Sequence, residues 1–145
     1  MSKLTYHLKV VGRYARIFKN ELLQPLGLVN REAEIILAVN RKPGRSQDSI
    51  ADDLLIDKSG VARCLSNMEE RGLVVRTVSP ADRRVTLVNL SPEAEKLVEP
   101  IREINRKWSD FVTAELPAEE EELLHKTLES VCARVHEAQG RRKKP

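Results

Sequence analysis

The sequence has few aromatic residues, few cysteines and no long apolar run. Aromatic residues make up only 3% of the 145 residues, which argues against a ligand cage built mainly of rings. The two cysteines, Cys64 and Cys132, lie far apart without a CxxC partner, which fits a reduced protein with no disulfide framework. No apolar stretch is long enough to cross a bilayer, and the first residues lack a signal-peptide pattern. We therefore expect a cytoplasmic protein.

Catalytic motifs are also missing from the sequence. The three histidines are scattered, and the chain contains no Ser/His/Asp grouping, no Gly-rich phosphate loop and no HExxH motif. The glutamate run at 119–122 is explained as the acidic first turn of a helix, where the helix dipole favours negative charge. We expect neither an enzyme nor a bound cofactor.

The charge balance permits a nucleic-acid partner without requiring one. The net charge is +3 at pH 7, and between residues 41 and 84 basic residues only slightly outnumber acidic ones. Bulk charge therefore cannot carry an argument for binding a polyanion. Such an argument must rest on where the basic side chains lie.

Apolar residues recur at helical spacing near the N-terminus and again after residue 92. The first stripe lies on a long helix that the Gln-Pro-Leu-Gly sequence at 24–27 should end, and it comprises Leu4, Leu8, Val11, Ala15, Phe18 and Leu22. Pro92 suits the first position of another long helix, in which Pro100 should cause a kink. The stripe of that helix comprises Leu97, Ile101, Ile104, Trp108 and Phe111.

The last helix should open at Pro117 and end at Gly140. Its stripe comprises Leu124, Leu128, Val131, Val135 and Ala138. Isolated helices of this kind need a partner surface. We therefore expect residues 1–29 and 92–139 to form a helical dimerisation region of a homodimer, with 140–145 as a disordered basic tail.

The middle of the chain is rich in helix start and stop signals. Asn30, Ser46 and Asp57 can each cap a short helix, and the last of these helices should end at Gly72 in a left-handed conformation. Two segments rich in β-branched residues, 73–78 and 84–90, follow and are separated by a turn. The fold prediction is therefore mainly α: a winged helix-turn-helix at 30–91 with a two-stranded β wing.

The segment 46–91 resembles the DNA-binding core of MarR-type transcriptional regulators. The matching stretches are SQDSIADDLLIDKSGVARCLSNMEERGLVVR and SPADRRVTLVNLSPEAEKL. In that family the helix-turn-helix ends in an acidic-Gly-Leu-Val segment, here 69–74. The wing carries Asp-x-Arg, here 82–84, before a strand that closes in Leu-Ser/Thr, here 90–91. The resemblance implies a DNA-binding dimer, usually a repressor, that releases DNA when a small molecule binds.

Two residues depart from the family pattern. Leu55 stands in the turn between the two helices, where the family usually has glycine, so the turn is expected to be tighter or more helical. Gly60 stands where Ser or Thr is common early in the recognition helix, so a contact to DNA should be lost and local freedom gained.

The first turns of the recognition helix should enter the major groove of DNA. Lys58, Ser59 and Arg63 are the candidate contacts there, and the alternative is that they are solvated helix charges. Ser46 and Gln47 begin the preceding helix, whose free N–H groups suit a phosphate, although simple N-capping explains Ser46 equally well.

The wing offers two further arginines, Arg83 and Arg84. A guanidinium on a thin loop can enter a narrow minor groove, where the negative potential is enhanced. By the family resemblance one of the two arginines does this and Asp82 holds the shape of the wing. The sequence does not decide between them.

The candidate effector site follows from the family resemblance, which places the ligand between the dimerisation helices and the DNA-binding lobe. Tyr14, Arg16, Trp108 and Phe111 border that region, although core packing explains the last two as well. One face of the last helix carries four residues of metal-ligand type, His125, Glu129, Cys132 and His136. A metal site is not expected there, because one straight helix cannot wrap four ligands around an ion.

The sequence thus predicts a sequence-specific regulator that binds double-stranded DNA as a homodimer on a palindromic operator. The alternative is a winged-helix protein-interaction module that has lost DNA binding, and Leu55 and Gly60 are the residues that favour it.

Overall fold

The computed structural model describes residues 2–143. Helices and strands follow in the predicted order, with one additional strand and one additional break. In chain order they are α1 (Lys3–Leu23), a 3₁₀ turn (Gln24–Leu26), α2 (Asn30–Arg41), β1 (Arg45–Ser46), α3 (Gln47–Leu54), α4 (Lys58–Glu70), β2 (Val74–Val78), β3 (Thr86–Leu90), α5 (Pro92–Glu95), α6 (Val98–Thr113) and α7 (Ala118–Arg142). The prediction of a mainly helical winged helix-turn-helix is confirmed.

The two helices of the helix-turn-helix begin at the predicted caps. The backbone N–H of Ser49 donates to Ser46 Oγ at 3.1 Å, and that of Gly60 donates to Asp57 Oδ2 at 2.7 Å. Each bond satisfies one of the N–H groups that a helix N-terminus leaves without an intrahelical partner. Cap chemistry is local, and here it fixes where α3 and α4 begin.

Helix α4 also ends as predicted. Gly72 has a φ of 73°, in the left-handed region. The N–H of Leu73 donates to the carbonyl of Met68 at 2.9 Å, which is the long hydrogen bond of a Schellman ending. The chain therefore turns directly from α4 into the first wing strand.

The predicted cap of α2 is wrong by one residue. Val29 occupies the N-cap position, and its N–H donates to Glu32 Oε2 at 3.1 Å. Asn30 is the first helical residue, and its side-chain amide donates instead to the carbonyl of Arg16 and to Asn20 Oδ1, both at 2.9 Å. The Asn30 side chain, which could have capped α2, forms hydrogen bonds to α1 instead.

Instead of the predicted kink at Pro100, the chain has a break between two helices just before this residue. Helix α5 ends at Glu95 and α6 begins at Val98, so that Pro100 is the third residue of α6. Proline has no N–H to donate to the carbonyl four residues earlier, and its ring clashes with that carbonyl. The carbonyl in question belongs to Lys96, in the turn between α5 and α6. The chain avoids the clash by ending one helix and starting another.

The prediction of a disordered tail is wrong for residues 140–142. Helix α7 continues through Gly140 to Arg142, where Arg141 and Arg142 lie in its last turn. Basic side chains are favoured at that end of a helix by its dipole. The last two residues of the expected tail, 144 and 145, lie outside the described residues.

The wing contains a third strand that the sequence analysis missed. The strands are ordered β1-β3-β2 and both pairs are antiparallel, with Val74 opposite Leu90 and Arg45 opposite Val88. Strand β1 has only two residues, too few to show an alternating pattern. It attaches the wing to the start of α3.

One hydrophobic core supports the helix-turn-helix, the wing and the start of α6. Its most deeply buried side chains include Ile35, Ile36, Val39, Ile50, Val61, Leu65, Met68, Val88 and Ile101. The inward faces of α3 and α4 supply Ile50, Val61, Leu65 and Met68. The polar side of α4 is thereby turned to solvent.

The chain divides into two compact units, one ending at Trp108 and the other beginning at Ser109. Apolar side chains are exposed on α1, including Leu4, Leu8 and Val11, and on α7, including Leu124, Leu128, Val131 and Val135. No helix within residues 2–143 combines the length and the apolar character that crossing a membrane would require.

Candidate nucleic-acid interface

The N-terminus of α4 is built around the carboxylate of Asp57. Oδ2 accepts the N–H of Gly60 at 2.7 Å and the hydroxyl of Ser59 at 2.6 Å. The hydrogen bond from Ser59 is the largest cause that lowers the pKa of Asp57 below its ordinary value, followed by that from Gly60. The hydroxyl proton of Ser59 is therefore directed at the cap, and only its oxygen lone pairs remain for an outside partner.

Gly60 is needed here because the Asp57 carboxylate comes so close. The residue is buried, and a Cβ added to it would lie 2.9 Å from Asp57 Oδ1 and 3.3 Å from Arg31 Nη1. The expected local freedom at Gly60 is therefore wrong, whereas the expected loss of a DNA contact stays a prediction. A side chain there would meet the cap and α2 before it met anything in solution.

Leu55 adopts a left-handed conformation in the turn between α3 and α4, with φ 55° and ψ 38°. It is the one non-glycine residue with positive φ among residues 2–143. The N–H of Leu55 still donates to the carbonyl of Ala51, as a residue ending a helix does. The expected tighter or more helical turn is wrong, because the leucine accepts a strain of about 1 kcal/mol in the conformation that glycine adopts freely.

The basic side chains of α4 differ in their partners. Lys58 Nζ lies 3.1 Å from Asp48 Oδ2, and both side chains are exposed. Arg63 is exposed and makes no hydrogen bond or salt bridge within residues 2–143. Arg63 thus keeps its N–H donors available to an outside partner, between one and two turns along α4 from Asp57, and its charge contributes to lowering the pKa of Asp57.

The tip of the wing is organised by Asp82. Its Oδ1 accepts the backbone N–H of Arg84 at 3.0 Å and Nε of the same arginine at 3.1 Å, and Oδ2 accepts Nη2 at 3.1 Å. The side-chain hydrogen bond from Arg84 is the main cause that lowers the pKa of Asp82. The Arg84 side chain is nevertheless 90% exposed, so its direction is fixed while its outer donors stay available. Arg83 is exposed and has no bonded partner in the described part of the chain.

The first residues of α3 lie beside the wing. Ser46, Gln47 and Arg84 line one small cavity of about 120 Å³, together with Asp48, Val85 and Thr86. The structure thus brings three of the predicted site residues together. The Ser46 hydroxyl already accepts the N–H of Ser49, so capping accounts for it.

Sequence reasoning missed Arg45 and Arg76. The Arg45 side chain is 9% exposed and donates to Ser49 Oγ at 2.9 Å, to the carbonyl of Ala38 at 3.1 Å and to Asp53 Oδ2 at 3.2 Å. Arg76 on β2 donates to side chains of α3 and α4. No local signal marks Arg76, because its partners lie up to 29 positions away in the sequence. The partners of Arg45 lie within eight positions, but they surround its side chain only once α2 and α3 have packed together.

Two of the four effector candidates, Tyr14 and Trp108, lie close together. Trp108 packs against Phe18 and Tyr14, with ring centroids 5.6 Å and 6.4 Å apart. Arg16 lines a separate groove of about 370 Å³, which is also lined by Gly12, Ala15, Lys19, Asn30, Arg31, Glu34 and Ile56. Phe111 belongs to the unit that begins at Ser109.

Two further candidate centres are Cys64 in α4 and the face of α7 that carries His125, Glu129, Cys132 and His136. Cys64 is half-buried, burial raises the pKa of its thiol, and its Sγ lies 3.9 Å from Met68 Sδ. It packs as a small apolar residue. Within the described residues no three His, Cys, Asp or Glu side chains are grouped so that they could hold a metal ion.

Comparison with known proteins finds relatives that are described as transcriptional regulators. The model of the MarR family matches residues 26–85. The transcriptional regulator HosA of Escherichia coli O111:H- is 32% identical over 96 residues, covering 66% of this chain and 71% of HosA. A putative transcriptional regulatory protein for the hcr operon of Thauera aromatica is 30% identical over 78 residues, which span 53% of this chain and 47% of that protein.

Solved structures share the fold over almost the whole chain. A MarR transcriptional regulator from Methanosarcina mazei Go1 is 22% identical with a TM-score of 0.88, covering 93% of this chain and 97% of that one. The MepR–DNA complex of S. aureus is similar as well, with 20% identity, a TM-score of 0.83 and coverage of 93% and 99%. At these identities the likeness establishes the architecture.

Proposed function

Because the chain belongs to the MarR family of transcriptional regulators, we propose that it is a homodimeric repressor that binds a palindromic operator in duplex DNA and responds to a small molecule. Each half-site would take α4 in the major groove and the wing in the adjacent minor groove. Half-sites on a two-fold symmetric operator would lie about one helical turn apart.

The exposed guanidinium of Arg63, which has no hydrogen bond or salt bridge within residues 2–143, supports this proposal most directly. A buried apolar face fixes the orientation of α4, so Arg63 projects from the solvent side near the end that enters the groove in a helix-turn-helix. An arginine there can donate two parallel bonds to a guanine edge. Lys58 can exchange its exposed bond to Asp48 for a phosphate, since such surface pairs are worth little.

In the wing, Arg84 is the better candidate for the minor groove. Asp82 uses Nε and one Nη of the guanidinium and leaves the other donors pointing outward on a side chain that is 90% exposed. A side chain held in this way loses less conformational entropy on binding than a free one. Arg83, which has no such partner, is better suited to a flexible phosphate contact. MepR of S. aureus, a structure of the same fold, is a complex with DNA, which supports the proposal that this chain binds DNA.

The exposed apolar faces on α1 and α7 support the homodimer. Leu8 and Val11 of α1 are about half exposed, as are Val131 and Val135 of α7. An exposed apolar face on a helix marks an interaction site. A second copy of the chain would cover each of these faces by a self-complementary contact, which is what two-fold symmetry requires.

For the effector we propose the groove lined by Arg16. Its volume of about 370 Å³ falls in the range of small-molecule sites, and Arg31 and Ile56 place it next to the start of α4. The interaction-module alternative loses its support, because Leu55 preserves the turn and Gly60 accommodates the Asp57 cap.

The salt dependence of binding tests the proposed function. DNA fragments from the source genome are titrated with protein at several salt concentrations. Each neutralised phosphate contributes a slope of about −0.9 in log affinity against log salt, so a dimer with two recognition helices and two wings should give a slope of several units. Absent binding, or binding that does not change with salt, would contradict DNA recognition and favour the interaction module.

A further inference from the structure

Arg76 connects three parts of the proposed DNA-binding surface. From its position on β2, its Nη2 donates to Ser66 Oγ at 3.0 Å and to Glu69 Oε1 at 3.2 Å, both on α4. Its Nη1 lies 3.5 Å from Oε1 of Gln47, the first residue of α3. One side chain thus bridges the wing, the recognition helix and the helix before it.

Glu69 binds Arg76 a second time through the backbone. Its Oε2 accepts the N–H of Arg76 at 3.0 Å, while Oε1 accepts the guanidinium. Strand β2 is the edge strand of the sheet, where unpaired N–H groups lie open. The carboxylate of Glu69 therefore joins α4 to both the main chain and the side chain of the wing at one point.

Arg76 is poorly placed to bind DNA itself. Its side chain is 22% exposed and its outer donors are occupied by Ser66, Glu69 and Gln47. Arg63 and Arg83, by comparison, are exposed and have no bonded partner within residues 2–143. An acidic residue such as Glu69 should also weaken binding to a polyanion. The position of the Glu69–Arg76 pair is better explained by the two elements that it joins, α4 and the wing, than by its charge.

We propose that the Glu69–Arg76 salt bridge sets the angle between α4 and the wing, so that both reach their grooves in the same register. Arg76 and Glu69 are positioning residues that act through Arg63 and Arg84, and the inference rests on the proposed DNA binding. The strand from Val74 to Val78 spans roughly 15 Å, at about 3.3 Å per residue. A tilt of about 15° at its base would therefore move the wing tip by roughly 4 Å, more than a hydrogen bond tolerates.

The decisive variant is Glu69→Gln, because an effect of charge alone and an effect on the position of the wing predict opposite changes in DNA affinity. Removing a negative charge near DNA should tighten binding to any duplex if charge alone matters. If the salt bridge positions the wing, affinity for a specific site should fall about tenfold, the effect of losing one charge-assisted hydrogen bond. Glu99→Gln is the matched control, since it removes the same charge from an exposed salt bridge on α6.

The probes are a duplex selected by the wild-type protein from a random-sequence pool and a scrambled duplex of equal length. We expect Glu69→Gln and Arg76→Lys each to lose about tenfold on the selected duplex. The loss on the scrambled duplex should be smaller, because it includes the wing contact but not the base contacts of Arg63. Lysine keeps the charge but cannot reproduce the fork that reaches three partners. Arg84→Ala should also cost less in the Glu69→Gln background than in the wild type, because a displaced wing has already lost that contact.

Thermal unfolding and light scattering confirm that each variant is folded and assembled. If Glu69→Gln unfolds below the assay temperature, Ser66→Ala removes one contact only and should give a smaller loss in the same direction. Glu69→Gln binding the selected duplex as tightly as the wild type, or Ser66→Ala leaving affinity unchanged, would overturn the inference. Failure of the wild-type protein to bind any duplex would instead overturn the proposed function, and this inference with it.

Discussion

At the scale of single residues, Gly60 and Arg76 show what local sequence can and cannot tell. Capping by Ser46 and Asp57 was predictable, because the bond closes within three residues. The need for glycine at position 60 was not, since the atoms that a Cβ would meet include Arg31 Nη1 on another helix. Arg76 was missed for the same reason: its partners become neighbours only when the wing folds against α4.

Gly60→Ala should destabilise the protein by about 1–2 kcal/mol, because the new Cβ lies 2.9 Å from Asp57 Oδ1 and displaces the cap. Gly140→Ala is the matched control in α7, where nothing lies within 4 Å of the added Cβ. That change should be neutral or stabilising by up to about 1 kcal/mol, since alanine favours helix. Urea unfolding of both variants measures the difference. Equal free energies of unfolding would contradict the close approach at Gly60.

At the scale of helices and strands, the boundaries that the sequence predicted well are those with strong local chemistry. The end of α4 at Gly72 is one example. Strand β1 and the break between α5 and α6 were missed, because a two-residue strand has no periodicity and Pro100 acts on a carbonyl four residues earlier. Leu55 is a different case, in which an unfavourable residue keeps the turn that tertiary packing requires.

Leu55→Gly should therefore stabilise the helix-turn-helix by up to about 1 kcal/mol, by relieving the left-handed strain at φ 55°. Gly72→Ala, at φ 73°, supplies the reverse experiment and should destabilise by a similar amount. Chemical denaturation measures both changes. Destabilisation by Leu55→Gly would show that the half-exposed leucine side chain contributes more through packing than its backbone costs.

At the scale of the whole molecule, the stripes on α1 and α7 predicted helices correctly, and the homodimer that they favour stays a prediction. The predicted division at 30–91 also stays a prediction; the chain divides into its two compact units after Trp108. Ile101 and Ile104, which the sequence analysis assigned to dimerisation, are buried in the core of the winged helix. An apolar stripe shows that a face is buried, not which surface buries it.

Leu128→Glu should weaken the dimer by at least about tenfold, since it places a charge on the exposed apolar face of α7, where an unpaired buried charge is costly. Ser130→Glu places the same charge a little more than half a turn away on the same helix and should leave the dimer intact. Light scattering over a range of protein concentrations gives the mass of each variant. A wild-type protein that is a folded monomer at micromolar concentration would contradict the homodimer.

Sequence-specific recognition by Arg63 is tested most directly by one titration. Wild type, Arg63→Ala and the double variant Arg83→Ala/Arg84→Ala are titrated on the selected duplex and on its scrambled counterpart. Arg63→Ala should cost about 1–3 kcal/mol per half-site on the selected duplex and much less on the scrambled one, because its donors face base edges. The wing variant should weaken binding to both duplexes more evenly and make the salt slope shallower. An equal loss on both duplexes for Arg63→Ala would contradict the assignment, since replacing a residue that recognises bases must change the ratio of the affinities for the two duplexes.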